Sequence, residues 1–154
     1  MKRSFLFITL LLSAYLTKAQ TSDDYIELAR DILKTEKKSA IAEGMILTDA
    51  EIAPFWELYN EYNSKLSQTQ NQRVALIKNY AQNYETMTDD KADELMQSYF
   101  KYQQDITKLK KSYYSRFKKI LPKAKAARYF QLENKIQALV DAELATQIPL
   151  IDTK

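Results

Sequence analysis

The chain has 154 residues, of which 45% are hydrophobic and 28% charged, and its formal net charge is +3 at pH 7. One Gly and three Pro leave few sites for the tight turns of a β-sandwich or a βαβ fold, so long helices in a single domain are expected. Because Cys and His are both absent, the sequence excludes disulfides, thiolate metal sites and nucleophilic centres that depend on His or Cys. We predict an all-α protein that is not an enzyme and needs no metal or cofactor.

The N-terminal segment 1–19 is typical of a secretory signal peptide. Lys2 and Arg3 form a basic start, residues 5–16 are apolar, and small residues end the segment at Ala19. The apolar stretch is shorter than the roughly 20 residues that span a bilayer, which makes an uncleaved membrane anchor the less favoured alternative. We expect cleavage between Ala19 and Gln20 and a periplasmic or secreted mature protein, for which a nucleic-acid partner is not expected.

The mature chain is predicted to form one helical domain over residues 20–147, followed by a flexible tail over residues 148–154. Its first helix is expected from about Asp23 to Ala42, with apolar residues at helical spacing. Gly44, the single glycine of the chain, is well placed to end this helix.

The second predicted helix begins with the strongest local signal in the sequence, the four residues from Thr48 to Glu51. They match a capping box, in which the Thr hydroxyl accepts the amide of the third helical residue and the Glu carboxylate accepts the Thr amide. From Ile52 to Tyr80 the apolar residues recur in steps of three and four. Only Pro54 interrupts this apolar stripe, and it is expected to kink the helix.

The third predicted helix starts at Thr88 and keeps an apolar stripe of the same spacing as far as Ile120. Because the stripes match and the connection between the two helices is short, they are expected to form a long antiparallel hairpin. Leu121 and Pro122 end the pattern, since the residue before Pro disfavours the helical conformation. Pro122 is expected at the first position of a fourth helix that runs to about Gln147.

A lysine-rich segment is the first candidate binding surface. Residues 101–128 contain ten basic residues and one acidic residue. Five lysines of the third helix project away from its apolar stripe: Lys101, Lys108, Lys111, Lys118 and Lys119. They form either a solvated outer face or, because residues 85–94 nearby are acidic, part of a segregated field that steers charged partners.

Aromatic residues supply the second candidate surface. The chain has eleven Tyr, six Phe and one Trp, most of which lie on the apolar stripes and are expected in the core. Tyr84, Phe100 and Tyr114 fall away from the central stripes. We expect these three to contact a partner protein, a second copy of the chain or the fourth helix.

The order of these features resembles the Spy/CpxP family of small periplasmic helical proteins over nearly the whole mature chain. The family is marked by two Leu-Thr-x-x-Gln motifs, and the first corresponds here to Leu47, Thr48 and Glu51, with Glu in place of Gln. The second corresponds to residues 120–124, which keep the apolar start and Pro122 but have neither Thr nor Gln. The resemblance implies an elongated, curved protomer of four helices that forms a cradle-shaped homodimer.

The resemblance also implies a function. Family members with chaperone activity hold non-native proteins without ATP, and other members restrain an envelope-stress sensor. We therefore expect an ATP-independent periplasmic chaperone that binds unfolded or partly folded envelope proteins through the two candidate surfaces. The alternatives are a stress-signalling accessory that binds one membrane sensor or anti-sigma partner, and an adhesion protein whose lysines contact the anionic lipid of a membrane surface or a polysaccharide.

Overall fold

The structure is a computed structural model that describes residues 34–153, and every regular element within that range is helical. The elements in chain order are helix α1 over residues 34–44, α2 (Asp49–Asn83), a short 3₁₀ helix (Tyr84–Thr86), α3 (Asp89–Ile120) and α4 (Lys123–Gln147). The predicted all-α class with a long helical hairpin is confirmed. The predicted signal peptide, residues 1–19, and the predicted start of the first helix at Asp23 lie outside the described residues.

The chain divides into two compact units, and the boundary falls between Glu43 and Gly44. The described part of the first unit consists of helical residues 34–43. The second unit contains α2, α3 and α4, together with both candidate binding surfaces. Dimerisation and the single domain expected over residues 20–147 remain predictions.

Helix α2 begins at the capping box that the sequence predicts. The backbone N–H of Thr48 donates to the Glu51 carboxylate at 2.8 Å, and Thr48 has the extended backbone that is typical of an N-cap residue. The same carboxylate accepts from the Lys125 ammonium of α4 at 2.5 Å. The hydrogen bond from Lys125, followed by the one from the Thr48 amide, lowers the pKa of Glu51. A single carboxylate therefore caps α2 and ties it to the start of α4.

Helix α3 starts at Thr88, as predicted, and packs along α2 to form the hairpin. The Thr88 hydroxyl accepts the backbone N–H of Lys91 at 3.2 Å. Two aspartates in the first turn and two lysines in the last turn, Lys118 and Lys119, complement the helix dipole. These two candidate lysines therefore stabilise the end of α3 whether or not they also meet a partner.

The link between α3 and α4 differs by one residue from the prediction. Pro122 is the N-cap residue of α4, and the first helical residue is Lys123. Proline restricts φ, here −52°, but leaves ψ free to take the extended value of 141° that an N-cap needs. The Pro122 carbonyl then accepts the Ala126 N–H at 3.0 Å. Leu121 is extended, as expected before proline, while its own N–H donates to the Phe117 carbonyl.

Gly44 is the last residue of α1, but it does not end the helix through a left-handed conformation. No residue in the described part of the chain has a positive φ. A Cβ atom at Gly44 would lie 2.6 Å from Cδ1 of Leu132 in α4, and the Gly44 carbonyl accepts from the Arg128 guanidinium at 2.6 Å. Gly44 thus adjoins α4, and a larger residue there would require the Leu132 side chain to shift.

An aromatic cluster forms the core at the end of the hairpin where α3 meets α4. Phe55, Phe117 and Tyr129 are fully buried, and the rings of Phe117 and Tyr129 lie 4.6 Å apart. Tyr62, which is also fully buried, contacts Tyr129 and the ring of Tyr113. Because each helix contributes large rings to this aromatic cluster, it joins α2, α3 and α4 into one unit.

A charged contact also joins α2 to α3. The Glu61 carboxylate accepts from two guanidinium nitrogens of Arg116 and, at 2.8 Å, from the Tyr113 hydroxyl. The Arg116 guanidinium lies over the ring of Tyr113, 4.7 Å from its centroid. This bidentate contact constrains the register of the hairpin more than an ion pair with a single hydrogen bond would.

Burial ends part-way along each helix. The last buried residue of α2 is Leu66 and that of α4 is Glu133, while the first half of α3 buries only two side chains. We call the remaining part of the hairpin, residues 67–104 with residues 134–153, the open half. It contains the 3₁₀ helix, and its helices are only partly covered by one another.

Candidate functional site

Three large apolar side chains of α3 are exposed in the open half. The exposed fractions are 45% for Met96, 40% for Tyr99 and 50% for Phe100. Their spacing of three and four residues places them on adjoining turns of the helix, and the rings of Tyr99 and Phe100 lie 5.9 Å apart. We call these three residues the apolar patch. Grouped apolar side chains, unlike single exposed ones, are typical of surfaces that bind other macromolecules.

The sequence identified only one member of the apolar patch. Phe100 was predicted as a contact residue, whereas Tyr99 was expected in the core and Met96 was given no role. Tyr99 is 40% exposed although Leu95 and Tyr102 on either side of it are buried, and the Tyr99 hydroxyl accepts from the Gln103 side chain at 3.0 Å. The usable signal was a second apolar row beside the main stripe, since Met96 and Phe100 are four residues apart.

All five candidate lysines are exposed, on the side of α3 that faces away from its buried residues. Lys101 pairs with Asp105 at 3.1 Å, and the Lys118 ammonium lies 4.8 Å from the centre of the Tyr114 ring. Within residues 34–153 the other three lysines form no ion pair: Lys108, Lys111 and Lys119. Their charges face solvent and are accessible to a partner.

The other two aromatic candidates, Tyr114 and Tyr84, contact other parts of the chain. The half-buried ring of Tyr114 packs edge-on against Phe130 of α4 at 5.7 Å. The Tyr84 hydroxyl donates to the Leu150 carbonyl at 3.2 Å, and its ring lies 5.7 Å from that of Tyr80. Of the three predicted aromatic contacts, Phe100 is the one that presents its ring to solvent.

The eight candidate residues therefore do not form one site. Phe100 and Lys101 adjoin each other in the open half, and Lys108 follows about 12 Å further along α3. Lys118 and Lys119 lie about 27 Å from Phe100, beside the aromatic core. The candidate site is the apolar patch together with the nearer lysines.

A polar cavity of about 100 Å³ lies between the three helices at the border of the open half. Arg73 of α2 pairs there with Asp141 of α4 at 2.5 Å. Glu133 is 4% exposed and accepts from the Tyr129 hydroxyl at 3.1 Å. Burial, followed by the charge of Glu133, raises the pKa of Tyr129 and keeps this hydroxyl a donor. Since a buried carboxylate is costly without hydrogen bonds, these contacts mark where the apolar core stops.

Comparisons of the chain with family models, with curated proteins and with solved structures found no match. The resemblance to the Spy/CpxP family therefore remains a hypothesis. Within residues 34–153, none of the helices has the length and apolar character needed to cross a membrane. The same part of the chain has no group of three or more acidic side chains arranged to hold a metal ion.

Proposed function

We propose that the protein binds non-native polypeptides in the periplasm without ATP and keeps them from aggregating. The observation that carries this proposal is the apolar patch, which lies on the same helix as the row of exposed lysines. Unfolded chains expose apolar side chains that gain free energy when they leave water against such a surface. The lysines add a positive field that speeds the encounter with acidic clients.

The small size of the apolar patch supports reversible holding rather than permanent complex formation. Three side chains provide much less area than the roughly 800 Å² per partner that stable complexes bury. Weak contacts allow a client to leave and refold without an energy source. A surface that combines Tyr, Phe and Met with lysine also fits many sequences, because Met adapts its shape and aromatic rings bind broadly.

Light scattering from an aggregating client tests this proposal. We expect the mature protein to suppress aggregation at a few-fold molar excess, and Phe100→Ser to weaken that suppression. Ile52→Ser is the matched control, because Ile52 is 42% exposed, similar to Phe100, but lies at the other end of the hairpin. An absence of suppression by the wild type, or an equal loss in both variants, would contradict the proposal.

The role of the lysines is tested by charge reversal in the same assay. Lys108→Glu with Lys111→Glu should slow the capture of an acidic client more than Lys65→Glu with Lys135→Glu, which changes the net charge equally at other exposed positions. The difference should shrink in high salt, since exposed charges are screened. Capture of one stoichiometric partner from an envelope extract, instead of many clients, would favour the stress-signalling alternative.

A further inference from the structure

The tail that follows α4 lies along the end of α2 and is held there by its backbone. The Tyr80 hydroxyl donates to the Pro149 carbonyl at 2.8 Å, and the Tyr84 hydroxyl donates to the Leu150 carbonyl at 3.2 Å. The two rings are 5.7 Å apart and follow each other by one helical turn. Two neighbouring hydroxyl donors thus meet two consecutive peptide carbonyls.

The two large apolar side chains of the tail, Leu150 and Ile151, contribute little to the contact with the two tyrosines. Leu150 is 89% exposed even though its carbonyl is bound, and Ile151 is 36% exposed. If apolar side chains held the tail, they would be buried against α2, in the way that Tyr129 of α4 is buried in the aromatic cluster. The tail is therefore recognised through the peptide group, which is common to all polypeptides.

The position of this contact explains why an extended segment fits it. Tyr80 lies on the stripe of three- and four-residue steps that α2 buries earlier in its length, and Tyr84 follows four residues later, at the start of the 3₁₀ helix. Helix α4 ends at Gln147, and Ile148 is already extended, with φ −99° and ψ 113°. Beside Tyr80 and Tyr84, the non-helical residues after α4 take the position that α4 itself has beside the aromatic cluster.

We infer that Tyr80 and Tyr84 form a binding site for extended polypeptide backbone, and that tail residues 149–153 are its internal ligand, which a segment of a client displaces. The inference rests on the proposed function and specifies how a client is held. Hydroxyl donors read the carbonyls of any sequence, which suits a protein that binds unrelated unfolded chains. Each of the two exposed hydrogen bonds from the tyrosine hydroxyls is weak, so the carbonyls of a client can replace those of the tail.

The apolar patch lies on α3, the helix that follows the two tyrosines in the chain. Phe100 is about 16 Å along α3 from Asp89, the first residue of that helix. A client that binds the two tyrosines with one segment can contact the apolar patch with another. The backbone contact would then supply affinity without sequence preference, and the apolar patch would select apolar segments.

The test compares three forms of the mature protein: the full chain, the chain ending at Ile148, and that shorter chain with Tyr80→Phe and Tyr84→Phe. The probe is a fluorescent, reduced and carboxymethylated protein that cannot refold, and the dissociation constant is measured by anisotropy. Removal of the tail should tighten binding by about threefold or more, because an internal competitor is lost. The two Phe substitutions should abolish that gain, since they remove only the hydroxyl donors.

A synthetic peptide of residues 148–154 provides an independent measurement. It should bind the shortened chain and compete with the client, and a scrambled version of it should bind equally well within about twofold, because the site reads carbonyls. Tail removal that leaves client affinity unchanged, or Phe variants that keep the gain, would overturn the inference and leave the chaperone function standing. If the peptide binds through the hydroxyls but no form binds the client, the chaperone function fails and the backbone site stands.

Discussion

Truncation of Phe117 tests whether the aromatic cluster holds the three helices together. The side chain is fully buried, and its ring lies 4.6 Å from Tyr129, 5.7 Å from Phe55 and 5.8 Å from Phe130. Phe117→Ala removes all three ring contacts and leaves a cavity, which costs about 3–5 kcal/mol for a large buried aromatic. Domains of this size have a total free energy of unfolding of about 5–15 kcal/mol. We therefore expect this one substitution to remove a large part of the stability of the second unit.

Urea unfolding followed by far-UV circular dichroism measures this effect. The slope of the free energy of unfolding against urea concentration should stay unchanged, which would show that the variant still unfolds from the same compact fold. Phe117→Leu keeps most of the volume and should cost less than about 1.5 kcal/mol. Phe100→Ala is the matched control, because this phenylalanine of the same helix is half exposed, and its loss should cost about 0.5 kcal/mol or less. A cost for Phe117→Ala below about 1 kcal/mol, or one equal to that of Phe100→Ala, would refute the assigned core.

Two further predictions concern pH and helix capping. The hydrogen bond from the Arg116 guanidinium, followed by the one from the Tyr113 hydroxyl, lowers the pKa of Glu61 from 4.5 to about 2. The ionised carboxylate therefore stabilises the fold above pH 4.5, and this stabilisation is lost as the pH falls towards 2. The difference in melting temperature between the wild type and Glu61→Gln should therefore be largest near neutral pH and disappear in acid. A difference that does not change with pH would contradict the assigned role of Glu61. Thr48→Ala should lower the free energy of unfolding by about 1 kcal/mol through loss of the α2 cap, whereas Thr107→Ala, at an exposed mid-helix position, should be neutral or slightly stabilising. Equal effects in the two thermal melts would show that α2 does not begin at Thr48.

Helix boundaries could be predicted because their causes are local. The caps at Thr48 and Thr88 involve residues three positions apart, and the break at Leu121 follows from the proline next to it. The predicted start of α4 was wrong by one residue, and this error also has a local cause, since it depends only on the ψ angle of Pro122. The outward position of the lysines follows from helical geometry alone, once the buried stripe of α3 is known.

The residues of the candidate site could be predicted only in part, because exposure depends on what lies opposite. Phe100 was predicted from its position off the apolar stripe. Tyr99 and Tyr102 both lie on that stripe, yet only Tyr102 is buried. Tyr102 is 5% exposed and Tyr99 is 40% exposed. Leu95, four residues before Tyr99, is buried as well, so the spacing of apolar residues within α3 does not separate the exposed tyrosine from the buried one.

By itself, the sequence determined that this protein is helical, where α2 and α3 begin, and that no centre built on Cys or His can exist in it. Those properties depend on composition and on contacts within one turn of the chain. Only the tertiary structure decided that Glu133 is buried, that the aromatic cluster lies at one end of the hairpin, and that Tyr80 and Tyr84 hold the tail. These features depend on residues more than sixty positions apart that meet only when α4 lies along α2, and helical periodicity carries no information on which side chains will face each other there.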